Sequence, residues 1–385
     1  MVVTLLVTVT GRDHPGVTAA LMDVLASHGA TVDDVEQVVV HGRLLLGVVT
    51  SGDGAALRAD LSATAARLDV AVEFTVLGDA GPAPASRHHV VVLGAPLPPQ
   101  ALAGLTRRLA GCGANIERVV RLSSWPAQSF ELLVTGGETG RLRRELAAEA
   151  VAQQVDVAVE QASLYRRGRR LVVLDVDSTL VRGEVIEMLA AEAGCAAEVA
   201  RVTAAAMAGE LDFEASLRAR VALLAGLPVE AIDRVRARVR LTPGARTLVR
   251  TLQRLGFAVG IVSGGFTVVT DDLRVELGLD HALANELEVV DGLLTGRVVG
   301  AVVDRAAKAA ALLRFAAEQG LRPEQTVAIG DGANDLDMLA AAGLGIAFNA
   351  KPVVREAADA ALTVPFLDAV LFLLGVPSEE ILAAD

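Results

Sequence analysis

Cysteine is nearly absent from this chain of 385 residues. The two present, Cys112 and Cys195, supply neither a disulfide framework nor a zinc knuckle. Positive charge is also short. Lys and Arg total 35 against 47 Asp and Glu, for a net charge of −12 and a pI near 5.1. Such an acid excess argues against nucleic acid and against a membrane surface as the main partner. Mean hydropathy is high at +0.47, yet no run of 18 uninterrupted apolar residues occurs, so no membrane span is predicted. The opening Met1–Thr10 has no basic stretch and no small-residue cleavage site. It reads as a strand rather than a secretion signal, and a cytoplasmic location is the expectation.

What the chain has is apolar material in segments of folding size. Hydrophobic residues make up 52% and charged ones 21%, which excludes a disordered polymer. The length suits two to three domains. The run Gly78–Ser86, rich in Pro, Ala and Gly, reads as a linker. A second boundary falls in Tyr165–Arg170, whose arginines lack interleaved aromatics and read as a solvated linker.

The two segments before residue 165 repeat each other. A shift of 84 positions carries Gly29-Ala30-Thr31-Val32-Asp33 onto Gly113-Ala114-Asn115-Ile116-Glu117, and Leu21, Leu25 and Val35 onto Leu105, Leu109 and Val119. In the first copy Val2–Thr10 alternates, and Val17–His28 carries apolar residues at helical spacing. Gln37–Thr50 reads as a strand pair turning at His41-Gly42, Ala55–Leu68 as a helix and Val70–Leu77 as a closing strand. Each copy is a ferredoxin-like βαββαβ unit.

Between the first strand and helix lies Gly11-Arg12-Asp13-His14-Pro15-Gly16. On its own it is a strand-to-helix turn, or else a loop whose backbone N–H groups meet a carboxylate. With this loop in place the segment resembles an ACT domain, a regulatory module that commonly binds amino acids between paired copies. The resemblance implies an effector site at Asp13 and Gly16, with L-serine as the candidate effector, and a homodimer. The second copy resembles the module in fold pattern only. Its loop, Gly94–Gln100, has Leu97 for Asp13 and Gln100 for Gly16.

The chemistry lies after residue 170. Leu171–Leu174 is a continuous apolar run of the kind that fills a parallel sheet, and it delivers Asp175-Val176-Asp177 at its carboxyl end. Two such carboxylates repel unless a cation or a shared proton compensates. Ile261–Phe266 sets a hydroxyl, Ser263, and two glycines after another apolar run, a pattern suited to cradling phosphate oxygens. Lys308 opens a helix and offers a point charge. Val327–Asp335 is a third apolar run ending in Gly330-Asp331-Gly332-Ala333-Asn334-Asp335, hard oxygen ligands of the type Mg²⁺ prefers.

This order of motifs resembles the haloacid dehalogenase superfamily of phosphotransferases over about residues 170–365. Within it the chain is similar to the phosphoserine phosphatases, through Asp175–Glu184, Met207–Val221, Val262–Phe266 and Gly330–Asp335. The implied architecture is α/β. Two ACT-type units, 1–80 and 87–164, precede a Rossmann-like hydrolase core, 168–385, with a helical cap over about 188–243. The implied reaction is Mg²⁺-dependent hydrolysis of O-phospho-L-serine to L-serine and phosphate, the last step of serine biosynthesis.

The resemblance also implies roles. Asp175 is the nucleophile and Asp177 the general acid and base. Asp175, Asp331 and the Asp177 backbone carbonyl hold Mg²⁺, with Asp335 supporting from behind. Ser263, Gly264, Lys308 and Asn334 neutralise the transferring phosphoryl group. Arg220 receives the substrate carboxylate, Glu184 its ammonium, and Met207 and Phe213 form an apolar lid. Two other readings remain at this point: a sister phosphatase for another small phosphomonoester, and an amino-acid-sensing binding protein.

Overall fold

A computed structural model describes residues 4–52, 54–78, 86–207 and 211–382. Of the expected linker Gly78–Ser86, only its two end residues fall within the described residues. The chain divides into two compact units, Met1–Ala83 and Pro84–Asp385.

The first unit runs β1 (Thr4–Arg12), helix Val17–Ser27, β2 (Thr31–Val40), β3 (Arg43–Ser51), helix Ala55–Arg67 and β4 (Val70–Leu77). Its antiparallel sheet has the order β2-β3-β1-β4. Strict alternation on β1 puts Leu5, Val7 and Val9 on one face, where they pack against Val17, Leu21 and Leu25 of the first helix and Leu57 and Leu61 of the second. His41 and Gly42, both at positive φ, make the tight turn between β2 and β3. Strand β2 starts at Thr31 rather than near Gln37. All of it is exposed at the sheet edge, so it carries no apolar alternation to read.

The second unit opens with the same topology: β5 (Arg87–Gly94), helix Pro99–Gly111, β6 (Ala114–Ser123), β7 (Gln128–Gly136), helix Thr139–Gln153 and β8 (Asp156–Gln161). It continues with β9 (Leu171–Leu174), β10 (Ala258–Phe266), β11 (His281–Val290), β12 (Leu293–Val299), β13 (Thr326–Gly330), β14 (Leu344–Phe348) and β15 (Ala360–Leu362). Strands β9, β13 and β14 are buried along their whole length, as a sheet covered on both faces requires. Four helices between β9 and β10, Val185–Ala193, Ala196–Met207, Phe213–Ala222 and Val229–Arg238, form a cap. No described helix is long and apolar enough to cross a membrane.

The second copy of the repeat and the parallel sheet are one structure here. Strand β8 pairs with β15 at Ala158 and Ala360, giving an eleven-stranded sheet of order β12-β11-β10-β9-β13-β14-β15-β8-β5-β7-β6. Val91, Leu93 and Ala158 share a core with Leu362, Leu367 and Leu371. Two of the arginines expected to be solvated between these parts, Arg166 and Arg170, are instead drawn in, while Arg169 stays exposed. Arg170 is 3% exposed and donates to Glu160 at 2.6 Å, while Arg166 donates to Glu160 at 3.0 Å and to Glu131 at 2.7 Å. Their acidic partners lie on β7 and β8, brought beneath them only by the strand order, so local sequence gives no sign of the pairing.

Asp156 lies on the same seam. Its Oδ2 accepts from the Thr363 backbone N–H at 2.8 Å and from the Thr363 hydroxyl at 3.2 Å, and its Oδ1 is buried without a partner. Burial, only partly opposed by the Thr363 bonds, pushes its pKa up to about 6. An unfolded Asp titrates near ~4. From about pH 4 to 6 the folded chain thus holds a proton that the unfolded chain has lost, and the stability from this group falls as pH rises. Asp156→Asn removes the titration. In urea unfolding followed by circular dichroism, the variant should gain on wild type by up to about 3 kcal/mol between pH 4 and 7. A difference that does not change with pH contradicts this.

Candidate active site

Three parallel strands end at one place. Strand β9 ends at Leu174, and the Asp175 N–H that follows donates to the Ile329 carbonyl of β13 at 2.8 Å. The chain then makes a tight turn, Val176–Leu180, in which Ser178 has φ +59°. Strand β13 ends at Gly330 and hands over Asp331, Asn334 and Asp335. Strand β10 supplies Ser263, Gly264 and Gly265. Helix Arg305–Glu318, capped by Asp304 through the Ala307 N–H at 2.8 Å, brings in Lys308.

Lys308 is fully buried. Its Nζ donates to Asp175 Oδ1 at 2.6 Å and to Asp335 Oδ1 at 2.7 Å. Burial alone would lower its pKa, but these two carboxylates more than offset that and hold it above the usual lysine value. The Asp175 pKa is raised as well. Burial first, then the Asp335 charge, raise its pKa well above the carboxylate range despite Lys308. Burial likewise pushes Asp331 up to about 6, against a hydrogen bond from the Thr179 hydroxyl at 2.9 Å. Asp177 reaches about 7 through burial and the nearby Glu184 charge; its Oδ1 accepts the Val185 N–H at 2.8 Å and its Oδ2 the Ser263 hydroxyl at 3.3 Å.

Asp175, Asp331 and Asp335 each present a carboxylate oxygen within 4.8 Å of the others. An all-oxygen donor set of three carboxylates against a single lysine suits a hard divalent cation, so the residues present fit one. The Asp177 carboxylate stands apart from this group, bonded to Val185 and Ser263.

Above the carboxylates opens a cavity of about 740 Å³. One part of its wall is a face of helix Phe213–Ala222, where Phe213, Ser216, Leu217 and Arg220 recur at helical spacing. The Phe213 ring closes on the β10 loop so tightly that a Cβ at Gly264 would lie 3.0 Å from it. A Cβ at Gly265 would lie 2.6 Å from Asp177 Oδ2, so this loop tolerates only glycine there. Arg220 donates to the Ser216 carbonyl at 3.3 Å and has no ion-pair partner among the described residues. Burial lowers its pKa, opposed by the charges of Glu184, Asp177 and Glu187. Glu184 also lines the cavity, and the Ser178 hydroxyl donates to it at 3.0 Å. Asn334 lines the cavity too.

The structure thus brings Asp175, Asp177, Glu184, Phe213, Arg220, Gly264, Asp331 and Asn334 to one cavity, with Ser263, Lys308 and Asp335 directly beneath. Met207 closes its helix, and its side chain lies outside what is described. Asp13 and Gly16 are exposed in the first unit, where Gly16 (φ +95°) starts helix Val17–Ser27. In the corresponding loop of the second copy Leu97 is buried, and its N–H donates to Gln128 Oε1 at 3.1 Å. Sequence reasoning passed over Ser178, Thr179 and Asn285, which contact site residues. One signal was available for Lys308: it is one of only two lysines in the chain, with Lys351, and Lys351 also lines the cavity.

A family model for haloacid dehalogenase-like hydrolases matches residues 172–340, and ACT-domain models match residues 3–75 and 86–160. A phosphoserine phosphatase of Streptomyces coelicolor is 58% identical over 387 aligned positions, 99% of this chain and 94% of that one. One from Mycobacterium tuberculosis is 54% identical over 394, covering 100% of this chain and 96% of that one. A solved phospho-aspartyl intermediate analogue of a phosphoserine phosphatase superposes with a TM-score of 0.51 at 45% identity, over 53% of this chain and 98% of that one. The chain belongs to the haloacid dehalogenase-like hydrolases, in the phosphoserine phosphatase family whose hydrolase domain follows two ACT domains.

Proposed function

We propose that the chain is a Mg²⁺-dependent phosphatase that hydrolyses O-phospho-L-serine to L-serine and phosphate. The observation that carries this reading is Arg220, which has no ion-pair partner among the described residues and shares a cavity with Glu184 and a buried carboxylate–lysine cluster. A guanidinium fork takes a carboxylate, a glutamate takes an ammonium, and the cluster takes a phosphate with its cation. Phosphoserine carries all three groups on a small frame.

Asp175, Asp331 and the Asp177 backbone carbonyl would hold Mg²⁺, with Asp335 supporting from behind; the ion when bound would offset their charge and that of the phosphoryl oxygens. Lys308 orients the Asp175 carboxylate through its 2.6 Å bond. That carboxylate attacks phosphorus as the bond to the serine oxygen breaks, and an aspartyl-phosphate forms on Asp175. Asp177 gives its proton to the departing oxygen. It then takes one from the water that attacks the aspartyl-phosphate, releasing phosphate and restoring Asp175. Ser263, the Gly264 N–H and Asn334 bind the phosphoryl oxygens, and Phe213 excludes water from above.

The Asp13–Gly16 loop of the first ACT domain is the place we assign to an amino-acid effector, with L-serine the candidate and a second copy of the chain as the pairing partner. The buried Leu97 and its occupied N–H support leaving the second copy without such a site.

Asp175→Asn should remove turnover and keep the fold, since Lys308 retains Asp335 and a repelling carboxylate is lost. The thermal midpoint should stay near wild type while phosphate release falls by more than about 100-fold. Retention of more than about a hundredth of the rate contradicts the nucleophile assignment.

Arg220→Ala should lower kcat/KM for phosphoserine by roughly 10- to 100-fold, the worth of a charge-assisted fork. Phosphoethanolamine, which has no carboxylate, should change by less than about threefold. Equal losses on both substrates would show that Arg220 does not read the carboxylate.

A further inference from the structure

Strand β10 leaves its ladder at the point where the site needs its backbone. It pairs with β11 in parallel through Gly260, Ile261 and Val262, and again at Phe266, which lies opposite Asn285. Residues 263–265 bulge out between these pairs. A buried carbonyl released from a ladder must find another donor. The Gly264 carbonyl finds it in the Asn285 side chain, whose Nδ2–H donates at 2.8 Å.

The other end of the same amide is also engaged. Asn285 Oδ1 accepts the Val303 N–H at 2.8 Å. Only this orientation satisfies both partners, because turning the amide over would set acceptor against acceptor and donor against donor. Asn285 is 1% exposed, so water cannot replace either bond. Val303 directly precedes Asp304, the residue that caps the Lys308 helix. Asn285 itself does not line the cavity.

We infer that Asn285 is a positioning residue for the phosphate end of the site, bridging the Ser263–Gly265 bulge to the start of the Lys308 helix. The inference rests on reading the cavity as a phosphomonoester site. A loosened bridge lets Ser263 and the Gly264 N–H drift relative to Lys308. Misplacement on the order of 1 Å is enough to cost about 100-fold in such a reaction. The Arg220 and Glu184 end, held by the cap, should not register the change.

The test uses the full chain with inorganic phosphate, L-serine and phosphoserine as probes. Asn285→Asp keeps the shape and the acceptor for Val303 but turns an oxygen toward the Gly264 carbonyl. Asn285→Ala removes both bonds. Phosphate affinity by calorimetry and kcat for phosphoserine should each fall roughly 10- to 100-fold, while competitive inhibition by L-serine shifts by less than about threefold. Should Asn285→Ala not fold, Asn285→Asp decides alone. Phosphate affinity and kcat within about twofold of wild type in Asn285→Asp would overturn the inference. Parallel loss of phosphate and serine binding with a lowered melting midpoint would overturn it too, by showing a role in folding only. A wild-type chain that binds phosphate but does not release it from phosphoserine would instead count against the proposed function, and the phosphate calorimetry would still judge Asn285.

Discussion

One buried ammonium holds the site together. Lys308 lies at no exposure between Asp175 and Asp335, two carboxylates from two different strand ends. Without it their charges would be buried and uncompensated, which costs several kcal/mol per ion. With it the carboxylates still outnumber the positive charge, since Asp331 and Asp177 lie close by and both are pushed toward the protonated state. The imbalance is local and directional. It leaves the floor of the cavity short of positive charge, and this defines what the cavity can accept: a divalent cation together with the group it neutralises.

The sheet explains how such a costly arrangement is held. The carboxyl ends of β9, β13 and β10 converge, and each strand is locked along its length by apolar neighbours on both faces. The second ACT domain extends this lock, because β8 joins the sheet at β15 and the Arg166, Arg170, Glu131 and Glu160 cluster closes the seam. That domain is part of the hydrolase's scaffold as well as a module in front of it. The cap lines the cavity from three helices, with Ile186 and Glu187 on the first, Thr203 and Ala206 on the second and the Phe213–Arg220 face on the third.

How much of this is legible in sequence depends on whether a role belongs to the residue or to its surroundings. The strand-end carboxylates were readable, because an apolar run followed by Asp-x-Asp or Gly-Asp-Gly states both the strand and its cargo. Lys308 was readable through its motif neighbours and its rarity as one of two lysines; its burial follows from helix packing. Thr179 and Asn285 are ordinary polar residues whose meaning arises when Asp331 and Gly264 arrive from over a hundred positions and 21 positions away. Arg166 and Arg170 were misread for the same reason, since their acidic partners appear only once β7 and β8 are placed beside the parallel sheet. Edge strand β2, exposed throughout, carries no period that could mark its start.

On the proposed function, the carboxylate floor, deficient in positive charge, works with a divalent cation to cleave phosphoserine. The most direct measurement is phosphate release from O-phospho-L-serine by the full chain, first with a chelator and then after MgCl₂ is restored. The chelator should reduce the rate to under about a hundredth, and Mg²⁺ should return it. Full release of phosphate in the chelator would contradict it.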